Sequence, residues 1–98
     1  MRKPNMNLVL GDKLILPFGG WGRWLTVDED KYWVGVEKGK RVRIPYVSKK
    51  AAQQGAPRFG FQWWGYVRDS RGREIYRTRV DKNVSAKAIV DAWLQPEY

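Results

Sequence analysis

Aromatic and β-branched residues recur along residues 59–68 and again along residues 74–80, and this pattern predicts two β-strands. The segment between them begins with Asp69, which favours the first position of a turn, and ends with Gly72, which tolerates a left-handed backbone. The pattern therefore predicts a β-hairpin over residues 59–80 that is closed by a three-residue loop.

The turn also predicts the register of this hairpin, with Asp69 opposite Arg73. The pairs that follow are Arg68 with Glu74, Val67 with Ile75, Tyr66 with Tyr76, Gly65 with Arg77, Trp64 with Thr78 and Trp63 with Arg79. Because side chains alternate across a strand, this register gives two unlike faces. The face suited to a hydrophobic core has Tyr66, Tyr76, Trp64, Thr78 and Val80. The opposite face is cationic and aromatic, with Trp63, Arg73, Arg77 and Arg79 around Gly65.

A second hairpin is predicted over residues 32–47, with its turn at residues 38–40. With Glu37 opposite Arg41, an apolar face forms from the pairs Val36 with Val42, Val34 with Ile44 and Tyr32 with Tyr46. The other face has Trp33, Gly35, Arg41 and Arg43, so a Trp and a Gly with a facing Arg occur in both hairpins. Two explanations stay open, a weak internal repeat or the same sheet sterics acting twice.

Short apolar runs at residues 8–10, 13–16 and 24–27 predict further strands near the start of the chain. The glycine-rich segment 18–23 has two interpretations. It is either a binding loop that presents Trp21 and Arg23, or a connector whose Trp packs into the core.

The final element predicted is a helix over residues 86–94, with Ser85 as its N-cap. Its apolar residues fall at helical spacing on one stripe: Ala86, Ile89, Val90, Trp93 and Leu94. A helix of about ten residues is unstable alone, so this stripe must pack on the sheet.

Residues 1–7 are expected to fray, and residues 48–58 are predicted to form an exposed loop, either a solvated linker or a phosphate-contacting arm.

The whole pattern predicts an α+β fold of about six short antiparallel strands, with two main hairpins and one C-terminal helix packed on the sheet. A chain of 98 residues is long enough for one domain with one modest core, so residues 1–98 are predicted to form a single domain.

Composition narrows the function. The chain has 19 Lys and Arg against 10 Asp and Glu, a formal charge of +9, and 14% of its residues are aromatic. Such a charge on a folded body favours a polyanionic partner.

The sequence has no Cys and no His, which removes thiol chemistry and the commonest base and metal ligand. We therefore expect no enzyme, no cofactor and no metal. No signal peptide or membrane-length apolar run is evident, so a cytoplasmic protein without membrane association is expected.

The segment from about Arg58 to Gln95 resembles a known family. Its matching positions are residues 65–69 (GYVRD), residues 72–74 (GRE) and the helix that follows Ser85. This arrangement is similar to the amino-terminal, arm-site-binding domain of phage and transposon tyrosine recombinases, and more distantly to the plant ethylene-response-factor domain. The resemblance implies a three-stranded sheet in the major groove of DNA, with Arg and aromatic side chains on its outer face. The recombinase catalytic domain is not part of the match, so strand cleavage is not implied.

The sequence thus predicts a non-enzymatic protein that binds duplex DNA through a basic, aromatic sheet face. The resemblance implies an accessory or regulatory protein of a phage or mobile element. The predicted contact residues are Trp63, Arg73, Arg77, Arg79, Arg68, Arg41, Arg43, Lys49, Lys50 and Arg58. Two other functions stay open. The same face could stack single-stranded RNA or DNA bases, or it could dock on an acidic host protein and inhibit it.

Overall fold

A computed structural model describes residues 7–44, 50, 53, 55 and 58–95 of the chain. The elements in chain order are strands β1 (Leu8–Leu10) and β2 (Leu14–Ile15), a 3-10 turn (Pro17–Gly19), strands β3 (Trp21–Val27), β4 (Asp30–Ile44), β5 (Arg58–Arg68) and β6 (Glu74–Val80), and helix α1 (Ala86–Trp93). The six strands form one antiparallel sheet, and α1 packs on one of its faces. The predicted α+β fold is confirmed.

The sheet has the strand order β1-β3-β4-β5-β6, and β2 also pairs with β3. Strands β3 and β4 form a hairpin in which Val27 lies opposite Asp30. Its two-residue turn places Asp28 in the left-handed region with φ 55°, a conformation that Asp tolerates better than most residues. The acidic residues Asp28 and Glu29 therefore form the tip of this hairpin. Of the predicted frayed lead, only Asn7 is described, and its backbone N–H donates to Asp28.

The hairpin predicted over residues 32–47 is wrong. Strand β4 does not reverse at residues 38–40 but continues to Ile44, and it pairs with β5 along both halves, from Trp33 opposite Arg68 to Ile44 opposite Arg58. Gly39 and Lys40 form a β-bulge instead of a turn. Glycine is compatible with both a turn and a bulge, and here the ladder with β5 continues on both sides of Gly39. Tyr46 and Val47 lie outside the described residues.

The hairpin of β5 and β6 is confirmed in its turn but not in its register. The N–H of Asp69 donates to the Arg73 carbonyl, and Arg68 pairs with Glu74, as predicted. A bulge then inserts Ile75, so every later pair shifts by one residue: Val67 with Tyr76, Tyr66 with Arg77, Gly65 with Thr78, Trp64 with Arg79 and Trp63 with Val80.

The shift corrects the predicted faces. Tyr76, Thr78 and Val80 of β6 lie on the core face, as expected, but the prediction for β5 is inverted. Residues Trp63, Gly65 and Val67 share the core face with them, whereas Trp64 and Tyr66 lie on the opposite side. We call that opposite side, away from α1, the open face.

The core lies between the sheet and α1. Its buried members are Leu25, Val27, Val34, Val36, Val67, Ala86, Ile89 and Val90. Gly65 provides room for the helix, because a Cβ on it would lie 2.9 Å from the Cδ1 of Ile89. The bare backbone of Gly65 is thus a packing site for α1 and not part of an exposed binding face.

Helix α1 forms as predicted. The Oγ of Ser85 accepts a hydrogen bond from the N–H of Ala88 at 3.1 Å, which is an N-cap interaction. The apolar stripe faces the sheet, and the ring of Trp93 packs edge-to-face on Tyr32 with ring centroids 5.0 Å apart. The helix therefore depends on the sheet for its stability.

The open face has a second cluster, in which aromatic rings lie across glycines of the neighbouring strand. The ring of Trp33 covers Gly22, and the ring of Tyr66 covers Gly35, so closely that a Cβ on either glycine would overlap the ring. Trp33 donates from Nε1 to the Oη of Tyr66 at 3.2 Å, and its ring meets Trp24 edge-to-face at 5.1 Å. Tyr66 is only 3% exposed although it lies outside the main core.

Trp93→Ala is expected to lower the free energy of unfolding by about 2 to 4 kcal/mol, because a large ring leaves the core edge and the ring of Tyr32 loses its partner. Urea denaturation measures the change. Lys87→Ala, on the exposed side of the same helix, serves as the control and should change stability by less than about 0.5 kcal/mol. A Trp93→Ala variant as stable as the parent would contradict the packing of α1.

Gly22→Ala is expected to destabilise the protein by about 1 to 3 kcal/mol or more, since the new methyl group collides with a Trp33 ring held by Trp24 and Tyr66. Gly11→Ala is the matched control, because a Cβ there meets its nearest atom, the Trp24 carbonyl oxygen, at an ordinary 3.5 Å. Thermal melting of both variants tests this expectation. Equal melting temperatures would show that the ring does not rest on Gly22.

Candidate nucleic-acid interface

Strands β4 and β5 extend beyond the strands beside them. The last residue of β4 that pairs with β3 is Val36, and the last residue of β5 that pairs with β6 is Trp63. Residues 39–44 and 58–62 therefore pair only with each other among the described residues, and we call this two-stranded ribbon the β-arm. At ~3.3 Å per residue, the six residues 39–44 extend about 20 Å.

The β-arm is uniformly basic. Its ionisable residues are Lys40, Arg41, Arg43 and Arg58, with Lys38 at its base and not one carboxylate. Over residues 38–62 the sequence has seven cations and no acidic residue, so this quarter of the chain holds +7 of the net +9 and leaves +2 for the remainder. Four of these seven cations belong to the β-arm, which has no carboxylate, so a polyanion would be attracted to it.

Two exposed aromatic rings on the β-arm make cation–π contacts with Lys38 and Arg41. The Nζ of Lys38 lies 3.8 Å from the ring centroid of Phe61, and the Cζ of Arg41 lies 4.5 Å from that of Phe59. Phe59 and Phe61 are 52% and 45% exposed. Because the register puts Phe61 opposite Arg41 and Phe59 opposite Arg43, rings and cations share one side of the ribbon.

Several predicted contact residues meet at the β-arm. Arg41, Arg43 and Arg58 all belong to it and are exposed. Arg58 is the first residue of β5 and not part of a loop, because it pairs with Ile44. Lys50 is exposed, and its backbone and that of Gln53 are helical, whereas Lys49 lies outside the described residues.

The cluster predicted from Trp63, Arg73, Arg77 and Arg79 does not form. Trp63 is half-buried against the core, whereas Arg77 and Arg79 lie on the open face with Trp64 and Tyr66. The cause is the bulge at Ile75, since a shift of one residue in β6 changes every facing pair. Arg68 lies on the open face too, with its Cζ 4.7 Å from the Tyr66 ring centroid.

The cations of the open face are partly neutralised. Arg77 forms ion pairs with Glu37 and, at 3.1 Å, with Glu74, and its guanidinium lies over the Trp64 ring. Arg79 forms no ion pair within the part of the chain that the structure describes. The open face therefore offers a phosphate fewer unpaired cations than the β-arm does.

Arg73 has a structural role in the turn. Its Nε donates to a carboxylate oxygen of Asp69 at 3.0 Å, and the other oxygen accepts from the backbone N–H groups of Arg71 and Arg73. Partial desolvation works to raise the pKa of Asp69, but these hydrogen bonds and the Arg73 charge together hold the pKa below its usual value. The ionised carboxylate thus stabilises the three-residue loop.

The structure favours the connector interpretation of the glycine-rich segment 18–23, because Trp21 and Arg23 both make contacts within the fold. Trp21 packs against the core, with the Nζ of Lys13 4.6 Å from its ring centroid, and Arg23 donates from Nε to the Gly11 carbonyl at 2.7 Å. Phe18 differs, since it is 96% exposed on a backbone with φ 68°.

Sequence reasoning missed Lys38, Lys40, Phe59 and Phe61 as parts of one surface. The signal that could have found them is the absence of Asp and Glu across residues 38–62. The predicted turn at residues 38–40 obscured it, because a reversal there would separate these residues into different strand pairs. Within the described ranges, no helix is long and apolar enough to span a membrane.

Comparison of the chain with protein-family models, curated proteins and solved structures found no match.

Asp69→Asn is expected to lower the melting temperature at pH 7, because the amide loses the charge that the turn amides and Arg73 stabilise. A carboxylate with a lowered pKa contributes stability above the ordinary value of about 4, and the contribution is lost as pH falls through the lowered pKa. The difference between variant and parent should thus shrink below about pH 4. Ser70→Ala is the control in the same turn. A difference that stays constant from pH 7 to pH 2 would contradict the assignment.

Proposed function

We propose that this protein binds duplex DNA by laying the β-arm along a groove. The observation that supports this most directly is the concentration of charge, with +7 in residues 38–62 and +2 elsewhere. Each phosphate that a Lys or Arg neutralises releases condensed counterions, which drives association with DNA. The body of the fold then serves to hold the ribbon out from the sheet.

The dimensions of the ribbon suit the major groove, which is ~12 Å wide and accepts a two-stranded β-ribbon. Arg41 and Arg43 lie on the same side of β4, two residues apart, so both can face the groove floor. Arginine forms bidentate hydrogen bonds with guanine, whereas Lys40 and Arg58 are placed to contact phosphates along the groove walls. This division gives the β-arm both sequence readout and register.

Single-stranded nucleic acid is a second candidate, which the exposure of Phe59 and Phe61 favours. A base stacked on an aromatic side chain contributes ~1 to 3 kcal/mol, and such stacking needs unpaired bases. Competition between duplex and single strands of the same sequence separates the two candidates. Docking on an acidic protein, the third candidate, would show as binding to no nucleic acid at any salt concentration.

The resemblance to the recombinase arm-site domain remains a prediction, and so does an origin in a phage or mobile element. In that family the outer sheet face enters the groove, which on this chain corresponds to the open face with Arg68 and Arg79. Variants of those residues therefore test the resemblance separately from the β-arm. We propose a binding role without catalysis in either arrangement.

Arg41→Ala and Arg43→Ala are each expected to weaken binding to duplex DNA by about 1 to 3 kcal/mol if they contact bases. If they contact phosphates instead, each should lower the slope of log affinity against log salt by about one. Fluorescence anisotropy with a labelled duplex at several salt concentrations measures both quantities. Melting temperatures should change little, because both side chains are exposed.

Arg71→Ala is the matched control, since it removes the same charge from an exposed turn at the far end of β5. It should leave the affinity within about twofold of the parent. If Arg79→Ala weakens binding and the two β-arm variants do not, DNA lies on the open face. If the parent shows no salt-dependent binding, the DNA-binding proposal is wrong.

A further inference from the structure

A cleft of about 500 Å³ lies at the base of the β-arm, where the ribbon leaves the sheet beside the end of β6. Its volume is within the ~300 to 1,000 Å³ range of small-molecule sites. The side chains that give it chemical character are Lys38, Phe61, Trp63, Val80, Asp81 and Lys82. The cleft thus lies between the basic β-arm and Trp63 at the edge of the core.

The aromatic rings of Phe61 and Trp63 line one wall of the cleft. Phe61 and Trp63 are two residues apart on β5, so they project from the same face with origins about 7 Å apart. Phe61 is 45% exposed and Trp63 only half-buried, so both rings are accessible to a ligand.

The polar groups of the cleft lie around these rings. Lys38 reaches in from β4 with its Nζ 3.8 Å from the Phe61 ring centroid, and Lys82 lies two residues after the end of β6, on the other side of β5. Both ammonium groups can contact an anion attached to a stacked ring. Asp81 is the one carboxylate among the lining residues, and it can accept hydrogen bonds from an amino or hydroxyl group.

We propose that this cleft binds one nucleotide, with its base against Phe61 and Trp63 and its phosphate between Lys38 and Lys82. The ligand is either a free nucleotide or an unpaired nucleotide of a strand that the β-arm holds. The second source rests on the proposed DNA binding, whereas the first does not. An aromatic wall alone would accept any apolar ligand, but cations on two sides select a ring that has a phosphate.

Titration with adenosine monophosphate, followed by backbone chemical shifts, tests the cleft directly. We expect shifts at Phe61, Trp63 and residues 80–82, with tighter binding than adenosine or inorganic phosphate shows alone. Phe61→Leu should weaken binding about tenfold, because stacking is lost while apolar bulk remains. Lys82→Gln should weaken it about threefold.

Two matched controls lie outside the cleft. Phe18→Leu removes an exposed ring, and Arg71→Gln removes an exposed charge, and neither should change the affinity for adenosine monophosphate. If Phe61→Leu and Lys82→Gln bind the nucleotide as tightly as the parent, the cleft is not its site. Equal binding of inorganic phosphate and adenosine monophosphate would also overturn the proposal.

The source of the ligand is tested with two duplexes that differ by one unpaired adenosine. If the nucleotide comes from a strand, the parent should prefer the bulged duplex by about tenfold, and Lys82→Gln should reduce that preference. Loss of duplex affinity in Arg43→Ala, with adenosine monophosphate binding unchanged, would support both the β-arm and the cleft. Binding of adenosine monophosphate without any duplex binding would remove the DNA-binding proposal and retain the cleft.

Discussion

The pairing of β4 with β5 is the interaction on which the rest of the structure depends. In its inner half, from Trp33 to Lys38, this pairing places Val34 and Val36 in the core beneath α1. There β4 also pairs with β3, and β5 with β6. The outer half pairs with no further strand among the described residues and becomes the β-arm. Because one continuous ladder serves both purposes, the position and orientation of the basic ribbon follow from the packing of the core.

Two bulges determine which side chains face outwards. The bulge at Gly39 and Lys40 lets β4 continue past the core, and the bulge at Ile75 moves Arg77 opposite Tyr66. Each adds one residue to a strand, and in a structure with a side-chain period of two that is sufficient to exchange faces. The rings over Gly22 and Gly35 then hold the open face in one arrangement.

The distribution of charge divides the arginines of this protein into two groups. Arg73 and Arg77 are paired with carboxylates and belong to the turn and the sheet, whereas Arg41, Arg43 and Arg58 lie within residues 38–62, which contain no acidic residue. Lys38 and Arg41 rest on phenylalanine rings, and these contacts limit the conformational freedom of both side chains. The aromatic content of the β-arm and the adjoining cleft thus complements its charge.

The sequence by itself determined the features that depend on near neighbours. These are the α+β class, the Ser85 cap and apolar stripe of α1, the turn from Asp69 to Arg73, and the basic character of Arg41, Arg43 and Arg58. Only the tertiary structure decided which face of β5 is buried. Both faces of that strand carry aromatic side chains, so amphipathicity does not indicate whether Trp63 or Trp64 faces the core. In the structure the face of Trp63 is buried, and Gly65 on that face contacts Ile89 of α1. It also decided that Gly39 forms a bulge and not a turn, because a glycine permits both and only the long-range ladder with β5 favours one of them.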